Sequence, residues 1–182
     1  MMQSSLDIRP GRLRVPVSAR DHTLGPADAR VTLVEYADFQ CPYAGLAYRA
    51  IQQLLRLRGD VRFVFRHFPL VNLYPSGEFA AEAAEVAGAQ GRFWLMHDWL
   101  FTHQDQVRPV WVTAAAERLG LDTAAFTRAV AARTYLERVR NDFLGGLRSG
   151  VNGTPTFFVN DVRHEGGYDL DELLEAVDNA GG

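Results

Sequence analysis

Two short apolar runs, Val31 to Tyr36 and Val61 to Phe68, flank a stretch with helical periodicity, and this arrangement restricts the chain more than any other feature. The first run is interrupted only by Thr32 and Glu35, the pattern of a strand buried on both faces. Between the runs, Leu46, Ala47, Ala50, Ile51, Leu54 and Leu55 recur at helical spacing from Pro42 to Leu57, with Gly59 near the C-cap. A strand, a helix and a strand within roughly 35 residues make a βαβ unit, two parallel strands joined by a right-handed crossover.

The periodicity then changes for about 75 residues, longer than any ordinary connection. Phe79 to Ala89, Phe93 to His103, Val112 to Leu119, Thr123 to Ala132 and Leu136 to Leu147 read as helices, with Asp122 as an N-cap and Gly91 and Gly120 as stops. Trp94, Trp99 and Trp111 are expected in the core of this helical part, or in part along an apolar substrate groove. Afterwards Thr156 to Asn160 and Val162 to His164 form a hairpin around Asn160-Asp161, and Leu170 to Val177 a closing helix. Upstream, residues 1–11 read as a polar tail, Leu13 to Val17 as a short edge strand interrupted by Pro16, and Gly25-Pro26 as a turn. The chain of 182 residues is long enough for one substantial core. It is expected to form a single α/β domain over 1–182, with a helical subdomain inserted over about 76–149.

Cys41 is the only cysteine, and it stands where the first strand gives way to the helix. A free cysteine is commonly a small buried hydrophobe. Here Pro42 follows directly, and proline suits the first helical position because that turn's N–H groups have no intrahelical partner. Cys41 is therefore expected at the positive end of a helix, partly exposed, where the dipole and the free N–H groups favour thiolate over thiol. That is the setting of a nucleophile.

The string Thr32-Leu-Val-Glu-Tyr-Ala-Asp-Phe-Gln-Cys-Pro-Tyr-Ala44, followed far downstream by Gly150-Val-Asn-Gly-Thr-Pro-Thr-Phe-Phe-Val159, resembles the DsbA-like thiol:disulfide oxidoreductases of the thioredoxin superfamily. Phe63-Val-Phe-Arg-His-Phe-Pro-Leu70, Phe93-Trp-Leu-Met-His-Asp-Trp-Leu-Phe101 and Leu119-Gly-Leu-Asp122 are similar too, so the resemblance covers about residues 20 to 178. It implies a thioredoxin fold carrying the helical insertion. It implies Cys41 and Glu35 as catalytic residues, with Pro42, Tyr43, Ala44, Thr154 and Pro155 facing the substrate. In the family the Thr154-Pro155 bond would be cis, whereas X–Pro bonds at large are mostly trans. Glu35 would lie beneath the active-site helix and move protons to and from sulfur. From the pattern alone, its carboxylate either reaches solvent at a strand edge or is buried, and burial would raise its pKa.

One departure matters most. Where the family has its second cysteine, this chain has Ala44, three residues on and on nearly the same helix face. Alanine cannot attack a mixed disulfide formed at Cys41, and the sequence contains no second cysteine. The expected activity is thiol–disulfide exchange through one nucleophile, on thiol- or disulfide-containing proteins or small disulfides, with a low-molecular-weight thiol or another protein as resolving agent. Two alternatives stand beside it. One is a trap form in which alanine replaces the cysteine of a dithiol oxidase; the other is a non-enzymatic, chaperone-like peptide-binding module.

The remaining features exclude more than they add. A net charge of −3 gives no basic footprint for nucleic acid. All 19 basic residues are arginine, which removes lysine-based chemistry. His22, His67, His97, His103 and His164 show no metal-ligand spacing, so no metal and no cofactor are expected. A Cys–His hydrolase would need one of them, such as His67 or His97, beside Cys41. Asp38, three residues before the thiol, would oppose its ionisation if close. The start lacks a secretory apolar run and the sequence lacks a membrane-length one, so the expectation is a cytoplasmic protein with no membrane partner, or an extracytoplasmic one if a leader has been removed.

Overall fold

A computed structural model describes residues 11–182. The βαβ unit is present: β2 (Val31–Ala37) pairs in parallel with β3 (Val61–His67), and α1 (Pro42–Leu57) joins them. The short β1 (His22–Leu24) runs antiparallel on the outer side of β3. β4 (Thr156–Val159) runs antiparallel to β2, and β5 (Val162–Arg163) closes the sheet in the order β1-β3-β2-β4-β5. Asn160 and Asp161 turn the last hairpin with positive φ at both positions, the backbone a tight primed turn needs and one these two residue types tolerate.

Between β3 and β4 the chain forms α2 (Gly77–Ala89), α3 (Phe93–Thr102), a 3₁₀ turn (Gln104–Gln106), α4 (Pro109–Arg118), α5 (Thr123–Ala131) and α6 (Leu136–Arg148). The Asp122 carboxylate accepts a hydrogen bond from Ala125 N and caps α5, while Gly91 and Gly120 take left-handed φ after α2 and α4. The closing helix α7 (Leu170–Gly181) starts on a similar cap, Asp169 accepting from Glu172 N. None of the described helices is long and apolar enough to cross a membrane.

The period-2 alternation of β2 sorts its side chains between two cores. Leu33 and Ala37 face the larger cluster with α1, α2, α3 and α7; Val34 and Tyr36 face a smaller one with Val64, Phe68, Phe158 and Phe143 of α6. Helix α6 reaches that face closely because a Cβ on Gly146 would lie 2.7 Å from the Phe68 ring. The sheet is thus covered on both sides.

Several expectations need correction. Leu13 to Val17 is not a strand: the Val15 and Pro16 carbonyls accept from the Arg66 guanidinium at 2.7 and 3.1 Å, so a side chain occupies the groups a ladder would use. Only Arg12 bridges to Val162. Helix α1, by contrast, spans the expected residues, with Arg58 as its C-cap, the Arg58 N–H bonded to Leu54 O, and Gly59 next in the chain. Trp111 is largely exposed on α4, not in the core, whereas Trp94 and Trp99 do pack against the larger cluster. The short β1 was not foreseen. The expected tail falls almost wholly on residues 1–10, outside the described residues.

Candidate active site

The site is built from the loop between β2 and α1. Phe39 anchors it: its ring is buried against Phe65, at 5.2 Å between centroids, and against Phe101 at 4.9 Å. Asp38 braces it, one carboxylate oxygen accepting from Gln40 N at 2.8 Å and the other from Leu70 N at 2.7 Å. Burial raises the Asp38 carboxyl, against the pull of these two N–H groups. Its part is therefore to hold the loop to the segment after β3. Gln40 makes a parallel tie, its side-chain oxygen accepting from Ser76 N at 2.8 Å.

Cys41 is the N-cap residue of α1, in extended conformation, with Pro42 opening the helix. Its side chain does not cap the helix. The thiol instead donates to the carbonyl oxygen of Thr154 at 3.2 Å. That carbonyl precedes Pro155, and the Thr154–Pro155 peptide bond is cis. Two strings more than a hundred positions apart in the chain therefore meet at one sulfur. The thiol is not partly exposed as expected: Cys41 is only 2% exposed, packed in the larger core with the Thr154 carbonyl against its sulfur. Tyr74, from the segment after β3, also lies beside it. Burial and the neighbouring Cys41 side chain push the Tyr74 phenol above its ordinary value.

The other expected site residues divide by exposure. Pro42 and Tyr43 are exposed at the helix start, and Tyr43 stands 6.4 Å from the Tyr168 ring. Thr154 and Pro155 are half-buried. Ala44 is fully buried and packs in the larger core, so it does not face a substrate in this conformation.

Glu35 is not at a strand edge. β2 is the central strand, Glu35 pairs with Phe65 on one side and Phe157 on the other, and both rings belong to the core that α1 covers. Desolvation there raises its carboxyl to about 8, and one of its oxygens has no protein partner. At neutral pH such a group is mostly protonated and can give up a proton.

The histidines form separate arrangements. His67 is fully buried, with its Nε2 2.8 Å from the Glu85 carboxylate, which His22 approaches on the same oxygen at the same distance. His97 bonds Asp98 at 2.9 Å and lies among Phe39, Phe65 and Phe101. His103 stacks on Trp99. With His67 committed to Glu85, and His97 to Asp98, the Cys–His hydrolase arrangement has no support.

A family model described as Thioredoxin matches residues 18–179. Among solved structures, a thioredoxin-like oxidoreductase from Silicibacter pomeroyi DSS-3 is 31% identical, with a TM-score of 0.80 over 90% of this chain and 93% of that one. Oxidised BdbD from Bacillus subtilis is 25% identical, with a TM-score of 0.79 over 87% and 91%. Among curated relatives, Na(+)/H(+) antiporter NhaA 1 of Salinispora arenicola (strain CNS-205) is 48% identical over 169 residues, which are 92% of this chain and 26% of that protein. The chain spans about a quarter of the length of the curated relatives it matches.

Proposed function

Since the chain belongs to the thioredoxin family, we propose that it is a thiol–disulfide oxidoreductase whose single nucleophile is Cys41. The observation that carries this reading is the meeting of Cys41, at the N-terminus of α1, with the carbonyl of Thr154 before Pro155. The thiol loses its proton, and its sulfur attacks one sulfur of a substrate disulfide. The S–S bond of the substrate breaks, its other sulfur leaves as a thiolate that takes up a proton, and Cys41 is left in a mixed disulfide. Glu35, held near 8 beneath α1, supplies or accepts the proton in these steps.

Resolution comes from outside. Ala44 has no nucleophilic atom, so a low-molecular-weight thiol attacks the mixed disulfide, regenerates the Cys41 thiol and leaves in a new disulfide with the substrate. The sum exchanges one disulfide for another, with no net oxidation of the protein. Pro42 and Tyr43, together with Thr154 and Pro155, form the surface on which an extended substrate would lie. The antiporter relatives enter this reading in one respect: a module of this size is carried within those longer proteins, so exchange at Cys41 is proposed for the module itself. Turnover of a glutathionylated peptide with reduced glutathione tests the proposal, with Cys41→Ser as the inactive reference.

The burial of the thiol favours a second reading, a peptide-binding module without turnover. In it an extended peptide lies on the exposed start of α1 and the Thr154–Pro155 segment, and Cys41 is a packed hydrogen-bond donor. Binding of an extended peptide with equal affinity by the native protein and Cys41→Ser, together with no turnover, would favour it.

A further inference from the structure

The 3₁₀ turn Gln104–Gln106 lies more than sixty positions from Cys41 in the chain, yet the Gln104 amide reaches the loop that carries the thiol. Its Nε2 donates to Phe39 O at 2.7 Å and to Cys41 O at 2.9 Å. A primary amide has two N–H donors, and both are used here. Because both partners are carbonyls, the amide can sit only one way round, nitrogen toward the loop. The Cys41 oxygen is also the acceptor of the first α1 hydrogen bond, from Gly45 N at 3.0 Å. The strap therefore meets the helix start at the oxygen of the nucleophile's own residue.

Gly45 makes the approach possible. A Cβ at position 45 would overlap the Gln104 Oε1 and lie 2.9 Å from its Cδ, so a side chain there would push the amide from its seat. Glycine inside a helix is less stable than alanine, and the three atoms nearest a Cβ at this position all belong to Gln104. The turn is fixed at its two ends, by His103 stacked on Trp99 before it and by Val107 buried in the core after it. Phe39 holds the loop from below and Gln104 from the side.

We propose that Gln104 is a positioning residue for Cys41: by fixing the Phe39 and Cys41 carbonyls it sets the aim of the sulfur and of the helix-start N–H groups around it. The seating of the turn at 104–106 then governs the reactivity of the thiol. This inference rests on reading Cys41 as a nucleophile.

The test uses the full chain and the release of thionitrobenzoate from 5,5′-dithiobis(2-nitrobenzoate), followed against pH, beside thermal melting. Gln104→Met keeps the shape and removes both donors; Gln104→Glu replaces the amide by a carboxylate facing two carbonyls. Both should slow the reaction several-fold and displace its pH profile. Gly45→Ala should slow it similarly while leaving the melting temperature equal or higher, and Gly45→Ala/Gln104→Met should be no slower than Gln104→Met alone. A purely structural strap would instead make rate and melting temperature fall together, with the two substitutions additive. Variants that react like a reactive native protein overturn the positioning role and leave the Cys41 reading standing. A native thiol that fails to react while the unfolded chain does overturns both.

Discussion

The Cys41 thiol donates a hydrogen bond to the carbonyl oxygen of Thr154, 3.2 Å away, and this contact closes the site as it stands. The sulfur that must attack is thereby engaged with the protein at rest. Attack on a substrate requires the bond to part. A substrate backbone N–H presented to the Thr154 oxygen would replace the thiol as donor and free the sulfur at the moment it is needed.

Glu35 gives a prediction with a definite pH window. Its folded value is raised from 4.5 to about 8 by desolvation. The protonated carboxyl is accommodated fully below the unfolded value, and that contribution is lost as pH rises toward and through about 8. The slope is about 1.4 kcal/mol per pH unit within the window. Glu35→Gln removes the titration, so its melting temperature should gain steadily on the native protein between about pH 5 and pH 8. Parallel melting curves across that range would place Glu35 in contact with water.

Glu85 has the opposite sign. Burial works against its charge, but the hydrogen bonds from His22 and His67 and the charges of those rings hold the carboxyl well below the ordinary carboxylate range. Arg138 adds a longer contact at 3.9 Å. Its stabilising contribution is present above the unfolded carboxylate value and is lost as pH falls below it. Glu85→Ala leaves two imidazoles without their acceptor and should cost about 3 kcal/mol near neutrality. Denaturant melts should record that deficit at neutral pH and a smaller one in acid.

Much of this frame was legible in the sequence. The strands Val31 to Tyr36 and Val61 to Phe68 and the helix Pro42 to Leu57 followed from apolar periodicity, because each must bury a face, and the structure differs from those bounds by one residue at most. The five helices between the strands were legible for the same reason. His22–Leu24 was not, since three residues carry no period. Leu13–Val17 misled because the apolar alternation was real while its carbonyls were claimed by Arg66. At the site, Cys41 and Pro42 marked a helix start, whereas the burial of the thiol, the side chain of Tyr74 and the amide of Gln104 depend on segments brought together only by the fold. No spacing in the sequence announces such contacts.

Asp38 should matter through the loop and not through its charge. Asp38→Asn keeps one carbonyl oxygen but turns an NH₂ toward either Gln40 N or Leu70 N, leaving donors opposed. A loss of about 1–3 kcal/mol is expected, with slower reaction at Cys41. Unchanged stability in a denaturant titration would show that the two N–H groups are satisfied some other way.

Ala44→Cys should restore a dithiol. The position is fully buried against the same core as Cys41, so the added sulfur should cost about 1–3 kcal/mol in the reduced state. Oxidation should then form an intramolecular disulfide, read as a loss of two free thiols without a change in oligomeric state. Persistence of both thiols under oxidising conditions would mean that residue 44 does not face Cys41.

Attack of native Cys41 on disulfides is the step on which the proposed function rests. Its most direct test is intact-mass spectrometry of the folded protein after incubation with oxidised glutathione, with Cys41→Ser and the denatured chain alongside. One glutathione per native molecule is expected, removed by reduced glutathione, and none on Cys41→Ser. A native protein that stays unmodified while the denatured chain is modified would contradict it, and would leave Cys41 as a buried hydrogen-bond donor to Thr154.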